Sequence, residues 1–225
     1  MAANPVEQLI EKRARRWRRW LQPPLPVYHN PVERDFQPEL GRWNLYIGGA
    51  GSVVDGYVNV DLCMVPGVTV VCSAEQLPFR DDLFQRVECD AVLEHTRSPQ
   101  RMISEMYRCT RPGGYVHLVV PFCHPFHEYP RDYYRFSPDG LREIAKPFDP
   151  LLWGWRSGPT ATLLAFLLEY VKIWFPGRTL KSVAYVLAGW LLFPFRYLDW
   201  FIYQTGQTNT LGNHCYLWAR KPGAD

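Results

Sequence analysis

Two stretches of this sequence put chemically capable residue types at close spacing. The first, "FCHPFHEYPRDYYRF" (122–136), gathers His124, His127, Glu128, Asp132 and Arg135 with three tyrosines. Imidazole titrates near neutral pH, so His127 and His124 are candidate bases for taking a proton from a hydroxyl acceptor. The same side chains equally suit hydrogen bonds that fix an irregular loop. A zinc site of His124, His127 and Glu128 is a third use; Pro125 argues against a helix that would align them and no other ligand cluster is evident, so no metal is expected. The second stretch is "NLYIGGAGSVVDGYVNVDL" (44–62), an apolar strand, a turn with Gly48, Gly49 and Gly51, and a second strand ending at Asp61. Glycines let backbone approach a ligand, and an acidic strand tip takes ribose hydroxyls; a purely structural glycine turn is the alternative. A dinucleotide needs a helix N-terminus for its pyrophosphate and an acidic residue about 20 positions on. Here the interval from Gly48 to Asp61 is 13, which favours an adenosine-like ligand without phosphates.

The elements that must hold these residues follow from hydrophobic patterning. "NLYIG", "YVNVDL", "VTVVC", "RVECDAVL", "YVHLVVP" and the closing "HCYLWARKP" read as strands. "SPQRMISEMYRCTRPGG" reads as a helix with Ser98 at its N-cap, Pro99 at the first position and Gly113–Gly114 as the stop; "SPDGLREIAK" is opened the same way by Ser137 and Pro138. Strands alternating with helices imply a parallel α/β sheet. His117, inside a strand, reads as a core or edge residue, and Glu94 and Glu105 as partners of nearby arginines.

The rest of the chain is uneven in character. The net charge of +3 rests on Lys12, Arg13, Arg15, Arg16, Arg18 and Arg19; without these six the remainder stands at −3. Residues 5–21 read as a basic amphipathic helix with a tryptophan stripe, which suits an anionic membrane surface; docking on its own domain or a partner is the main alternative, and nucleic acid is the least favoured. The proline-rich segment that follows reads as a linker or wrapping segment rather than a helix. Residues 160–175 and 182–203 are long and apolar, but Glu169 and Lys172 interrupt the first and Pro194, Arg196 and Asp199 the second. A span needs about 20 mostly apolar residues, so they read as helices lying in an interface or capping the domain, with ordinary buried helices as the alternative. Six cysteines without a C-x-x-C pair and no visible signal peptide point to a cytoplasmic protein with reduced thiols.

The segment "CSAEQLPFRDDLFQRVECDAVLEHTRSPQRMISEMYRCTRPGGYVHLVVP" resembles the middle of class I S-adenosylmethionine-dependent methyltransferases, in the type 11-like group. "AEQLPF", "LEH" and "RPGG" occur in order after "NVDL", and the likeness covers residues 43–145. It also resembles a branch whose first helix is reduced, which accounts for the short interval after the glycine turn. The resemblance implies S-adenosylmethionine as cofactor. It places Gly48, Gly49 and Gly51 beside the methionine moiety, Asp61 and Leu62 at the ribose, Ser73, Ala74 and Glu75 along the adenine, and Asp90 and His95 near the sulfonium. The chain departs from the family pattern at Tyr46, where an acidic or amide residue is usual, at Ser73 in place of aspartate, at Gln85 and at Arg111.

These readings combine into an expected architecture. Residues 1–42 form a basic arm and linker, 43–159 a Rossmann-like seven-stranded methyltransferase core, 160–205 a hydrophobic helical insertion, and 206–225 the last strand and tail of the core. The expected activity is methyl transfer to an oxygen of a small-molecule or lipid-linked acceptor at a membrane, a lipid-linked glycan or a quinone. A non-catalytic, membrane-docked adaptor that keeps the fold is the competing expectation. Nothing in the sequence points to an oligomeric state.

Overall fold

The computed structural model describes residues 22–48, 54–127, 131–206 and 210–223. The expected arm helix at 5–21, Gly49, Gly51 and Glu128 lie outside the described residues. One seven-stranded sheet organises the chain: β1 (Asn44–Ile47), β2 (Val58–Asp61), β3 (Val70–Val71), β4 (Phe84–Asp90), β5 (Thr110–Pro121), β6 (Asp149–Trp155) and β7 (His214–Arg220). Their spatial order is 3-2-1-4-5-7-6. β1 pairs in parallel with β2 and β4, β2 with β3, and β4 with β5, whereas β7 runs antiparallel to both β5 and β6. Only residues 48–57 separate β1 from β2, and the described part, from 54, is a turn.

Alternation along the strands gives the sheet two unlike faces. Leu45, Ile47, Val60, Val87, Cys89, Val116, Leu118, Val120, Cys215 and Leu217 point to an apolar core. That core is closed by α2 (Pro99–Cys109), whose Met102, Ile103 and Met106 are buried, and by α3 (Pro138–Ile144), which buries Leu141. On the opposite face, Arg86, Glu88 and His117 lie beneath the segment that precedes β1. That segment is not the helix-free linker expected from its prolines. It forms α1 (Pro31–Asp35), with Pro at the first turn, where a missing N–H costs nothing, and with the Asn30 side chain accepting from the Val32 amide at 3.0 Å. Asn30 fastens it to the end of β6 by donating its own amide to Arg156 O and its side chain to Trp155 O, at 2.8 and 3.0 Å.

Three local expectations need correction. α2 ends at Cys109, and Gly113–Gly114 are not its stop: they lie inside β5, where the β4–β5 register shifts. Gly113 has φ +72°, and a Cβ on Gly114 would come within 2.9 Å of two backbone carbonyls, so this bulge needs both glycines. Ser98 occupies the N-cap of α2, but its side chain makes no capping bond; the Glu75 carboxylate accepts from the amides of Arg97 and Ser98 at 3.0 and 3.1 Å instead. β6 is the strand that hydrophobic patterning missed. It is an edge strand containing Pro150, which only an edge tolerates.

The apolar last third forms α4 (Pro159–Ile173), α5 (Arg178–Leu192), a short 3-10 turn (Phe193–Tyr197) and α6 (Leu198–Thr205). No helix among the described residues is long and apolar enough to cross a membrane. Asp199, which appeared to interrupt an apolar run, is fully buried and caps α4, accepting from the amides of Thr160 and Ala161 at 2.8 and 3.0 Å. These helices are not ordinary core: Ile173, Trp174 and Leu191 are 74%, 70% and 73% exposed.

Candidate active site

Parallel strands deliver their C-terminal ends to one edge of the sheet, where α/β folds hold ligands. The ends of β1, β2 and β3 bring together Gly48, Asp61 and Ser73. The Gly48 amide donates to Val60 O at 2.8 Å, and the Cys72 amide to Asp61 O at 3.0 Å, so the three positions are adjacent. Gly48 has φ +78°, and a Cβ there would strike Val92 at 2.1 Å, so nothing larger fits between the two strand ends. The Asp61 carboxylate accepts from the Cys63 amide at 3.2 Å, which orients it at the strand tip. Leu62 beside it is exposed, and Ala74 is buried. Ser73 Oγ accepts from the Glu75 amide at 3.2 Å. Glu75 itself is occupied in capping α2. At Tyr46, where the family pattern has an acidic residue, the ring packs edge-on to Tyr57 at 6.1 Å.

The second half of the edge is built from histidines. Four of the six in the chain form a row: His95 to His127 at 4.9 Å between ring centroids, His127 to His124 at 5.0 Å, and His124 to His214 at 4.9 Å. Sequence patterning brought out His124 and His127. His214 belongs to β7, 87 positions further on, and nothing local advertised it. The loop that carries His124 and His127 is tied to the sheet by Asn213, a buried residue just before β7 that the sequence also concealed. The Asn213 side-chain amide donates to Cys123 O at 2.8 Å, which turns its oxygen toward His124 Nδ1 at 3.0 Å. That oxygen only accepts, so Nδ1 of neutral His124 carries the proton and Nε2 is left as the basic nitrogen. The loop's far side docks on the turn after β4, where the amides of Tyr133 and Tyr134 donate to Glu94 O at 2.9 and 3.3 Å.

Burial favours the neutral form of three of these histidines. It lowers His124 and His127, and it pushes His214 down to about 3. Asp132 accepts from the His127 amide at 2.9 Å and is paired with Arg135, whose guanidinium holds it down at about 2. Asp90, assigned to the sulfonium side, pairs instead with Arg156 at 2.6 Å. Glu94 is not the arginine partner expected of it: it is fully buried, neither carboxylate oxygen has a hydrogen-bond partner, and burial raises it to about 8. Glu105 does pair as expected, with Arg108 at 2.8 Å. A cavity of about 340 Å³ beside the row is lined by His124, Phe126, Asp132, Tyr133, Tyr134 and Arg135.

This sheet, with strand order 3-2-1-4-5-7-6 and an antiparallel seventh strand, and with Gly48 and an acidic second-strand tip at its C-terminal edge, defines the class I S-adenosylmethionine-dependent methyltransferase fold. Residues 58–118 match the family model of a methyltransferase domain, and the sheet has the fold of the class I methyltransferases. Among curated proteins, it is similar to the demethylmenaquinone methyltransferase of Streptomyces avermitilis, 29% identical over 118 residues, which is 52% of this chain and 47% of the relative. The enzyme of the same name from Mycobacterium tuberculosis is 30% identical over 122 residues, 54% of this chain and 47% of the relative. The chain thus spans about half the length of the curated relatives it matches. Among solved structures, the cyclase SpnF superposes with a TM-score of 0.55 at 16% identity, over 83% of this chain and 76% of that one. Phosphoethanolamine N-methyltransferase 2 of Haemonchus contortus, in complex with S-adenosyl-L-methionine, gives 0.52 at 18% identity, over 85% of this chain and 51% of that one. At such identities these two speak for the fold alone.

Proposed function

We propose that the protein transfers the methyl group of S-adenosylmethionine to an oxygen of a quinone-like or lipid-linked acceptor at a membrane surface. The observation that carries this reading is the juxtaposition at one sheet edge of the Gly48–Asp61–Ser73 strand ends with a row of four histidines. In this reading Gly48, Gly49 and Gly51 lie beside the methionine moiety, Asp61 and Leu62 take the ribose, and Ser73, Ala74 and Glu75 border the adenine. The sulfonium methyl is already activated, so alignment supplies much of the rate. A hydroxyl acceptor must still lose a proton. His124 suits that task because Asn213 leaves its Nε2 free to accept, and His127 is the alternative base. The names of the similar curated proteins favour a quinone-like acceptor.

The membrane part of the proposal draws on the exposed apolar surface of α4, α5 and α6, which Lys172, Arg178, Lys181 and Arg196 fringe with positive charge. The test is incubation of the protein with methyl-labelled S-adenosylmethionine and demethylmenaquinone in anionic vesicles, followed by extraction of the lipid. Label in the quinone supports the proposal. Binding of S-adenosylhomocysteine without label in any quinone or lipid-linked glycan would reject the acceptor class. Failure to bind S-adenosylhomocysteine at all would favour the adaptor, for which Tyr46 and Ser73 are the supporting departures.

A further inference from the structure

The turn after β4 contains a feature that methyl transfer leaves unused. Glu94 is fully buried, and neither carboxylate oxygen has a hydrogen-bond partner among the described residues. A buried carboxylate with no partner is costly, and it calls for a cation or a proton. Two imidazoles face it: His95 Nε2 and His127 Nε2 each lie 3.7 Å from Glu94 Oε1. The three ligand atoms all fall within 4.8 Å of one another. Atoms bound at about 2.0–2.1 Å on a tetrahedron stand roughly 3.4 Å apart, so a small contraction would close these three around one ion.

The other nitrogen of each ring is fixed in the sense a metal requires. His95 Nδ1 faces Arg131 O, and His127 Nδ1 faces Pro125 O at 3.3 Å. A carbonyl only accepts, so both Nδ1 atoms carry the proton, which leaves each Nε2 with a lone pair 3.7 Å from Glu94 Oε1. An outer carbonyl that fixes the tautomer is the usual companion of a metal-bound histidine. We propose that Glu94, His95 and His127 form a binding site for one divalent transition ion of the zinc class, with three protein ligands and an open position for a water or an acceptor oxygen. The donor set excludes magnesium and calcium, which take oxygen ligands. It differs from the His124–His127–Glu128 set that the sequence disfavours, because Glu94 and His95 come from the turn after β4, and it corrects the expectation of no metal. His95 thereby acquires a role other than contact with the sulfonium. The proposal does not depend on methyl transfer, since the ligand geometry stands without it.

The test is titration of the full-length, chelator-stripped protein with Co2+, followed by its visible ligand-field absorption, and with Zn2+ in competition. The expected result is one equivalent of Co2+ with an intense tetrahedral-type spectrum, displaced by Zn2+ and untouched by a hundredfold excess of Mg2+. Glu94→Gln, His95→Ala and His127→Ala should each weaken binding by at least about 100-fold, more than loss of an outer partner does, whereas His124→Ala should bind as the unaltered protein does. Far-UV circular dichroism of each variant checks the fold. If Glu94→Gln fails to fold, the two histidine variants decide. Absence of saturable Co2+ binding to the unaltered protein overturns the proposal, as does equal binding by His95→Ala and His127→Ala.

Discussion

The two sides of the sheet bury titratable residues in opposite ways. Under α1, each charge faces an opposite one: Arg86 Nε meets Glu88 at 2.6 Å, and His117 lies 3.1 Å from Glu33 and 3.5 Å from Glu88. His117 and Arg86 also stack on Trp218, at 4.1 and 4.6 Å. At the C-terminal edge, Glu94 has no hydrogen-bond partner among the described residues, and two imidazole nitrogens stand 3.7 Å from it. A charge-paired cluster fastens a segment to a sheet; a buried carboxylate without a hydrogen-bond partner keeps binding capacity in reserve. The contrast separates residues to be tested by stability from residues to be tested by ligand.

Substitutions can break that contrast. The largest effect is expected from His124→Ala, which should slow methyl transfer by roughly 10²–10⁴-fold while leaving cofactor affinity and the unfolding midpoint in place; single-turnover rates with a saturating acceptor check it. Glu88→Ala should do the reverse. It removes the carboxylate that faces Arg86 and leaves His117 with Glu33 alone, and should cost about 3–5 kcal/mol in urea unfolding, with cofactor affinity of the folded fraction unchanged. A smaller loss, about 1.5–3 kcal/mol of S-adenosylmethionine binding, is expected from Asp61→Ala, which removes a charged hydrogen-bond acceptor without touching the core. Glu94→Gln is expected to move the metal-free unfolding energy least, within about 1 kcal/mol, because no partner is lost. An outcome above about 3 kcal/mol there would place Glu94 with the structural cluster.

pH sharpens the same comparison. Burial alone would raise Glu88, but hydrogen bonds from His117 and Tyr57 and the Arg86 charge bring it to about 2. Burial alone would lower His117, yet Glu33 and Glu88 hold it above its ordinary value. A carboxylate lowered on folding stabilises above its unfolded pKa, so the Glu88 contribution is lost as pH falls from about 4.5 to 2. A histidine raised on folding stabilises below its unfolded pKa, so the His117 contribution is lost as pH rises from about 6.5 through its folded value. His214, lowered to about 3, resists protonation and adds a loss of stability as pH falls below about 6.5. Unfolding free energies of the unaltered protein and His117→Ala should therefore differ most between about pH 4.5 and 6.5, and converge at higher pH.

Strands and glycines were legible because they depend on local pattern. The alternation in "FQRVECD" and the bulge-forming "RPGG" follow from pleat and backbone geometry, although a glycine pair suits a bulge as well as a C-cap, which is why the helix stop is misplaced there. Gly48, Asp61, His124 and His127 stood out by type and spacing. Asn213, His214 and Arg156 did not, because each matters only through a partner more than 60 residues away. Glu94 was read as a pairing residue because a surface glutamate beside arginines usually is one; its burial is a property of the assembled sheet edge. Asp199 misled for the same reason, since a helix cap supplied from 39 positions downstream leaves no local signature.

Calorimetric titration with S-adenosylhomocysteine tests the central claim most directly. The account predicts one saturable site per chain in the unaltered protein, weakened roughly tenfold or more by Asp61→Ala and unchanged by Glu88→Ala. No heat of binding to the folded protein, or equal binding by Asp61→Ala, would contradict it.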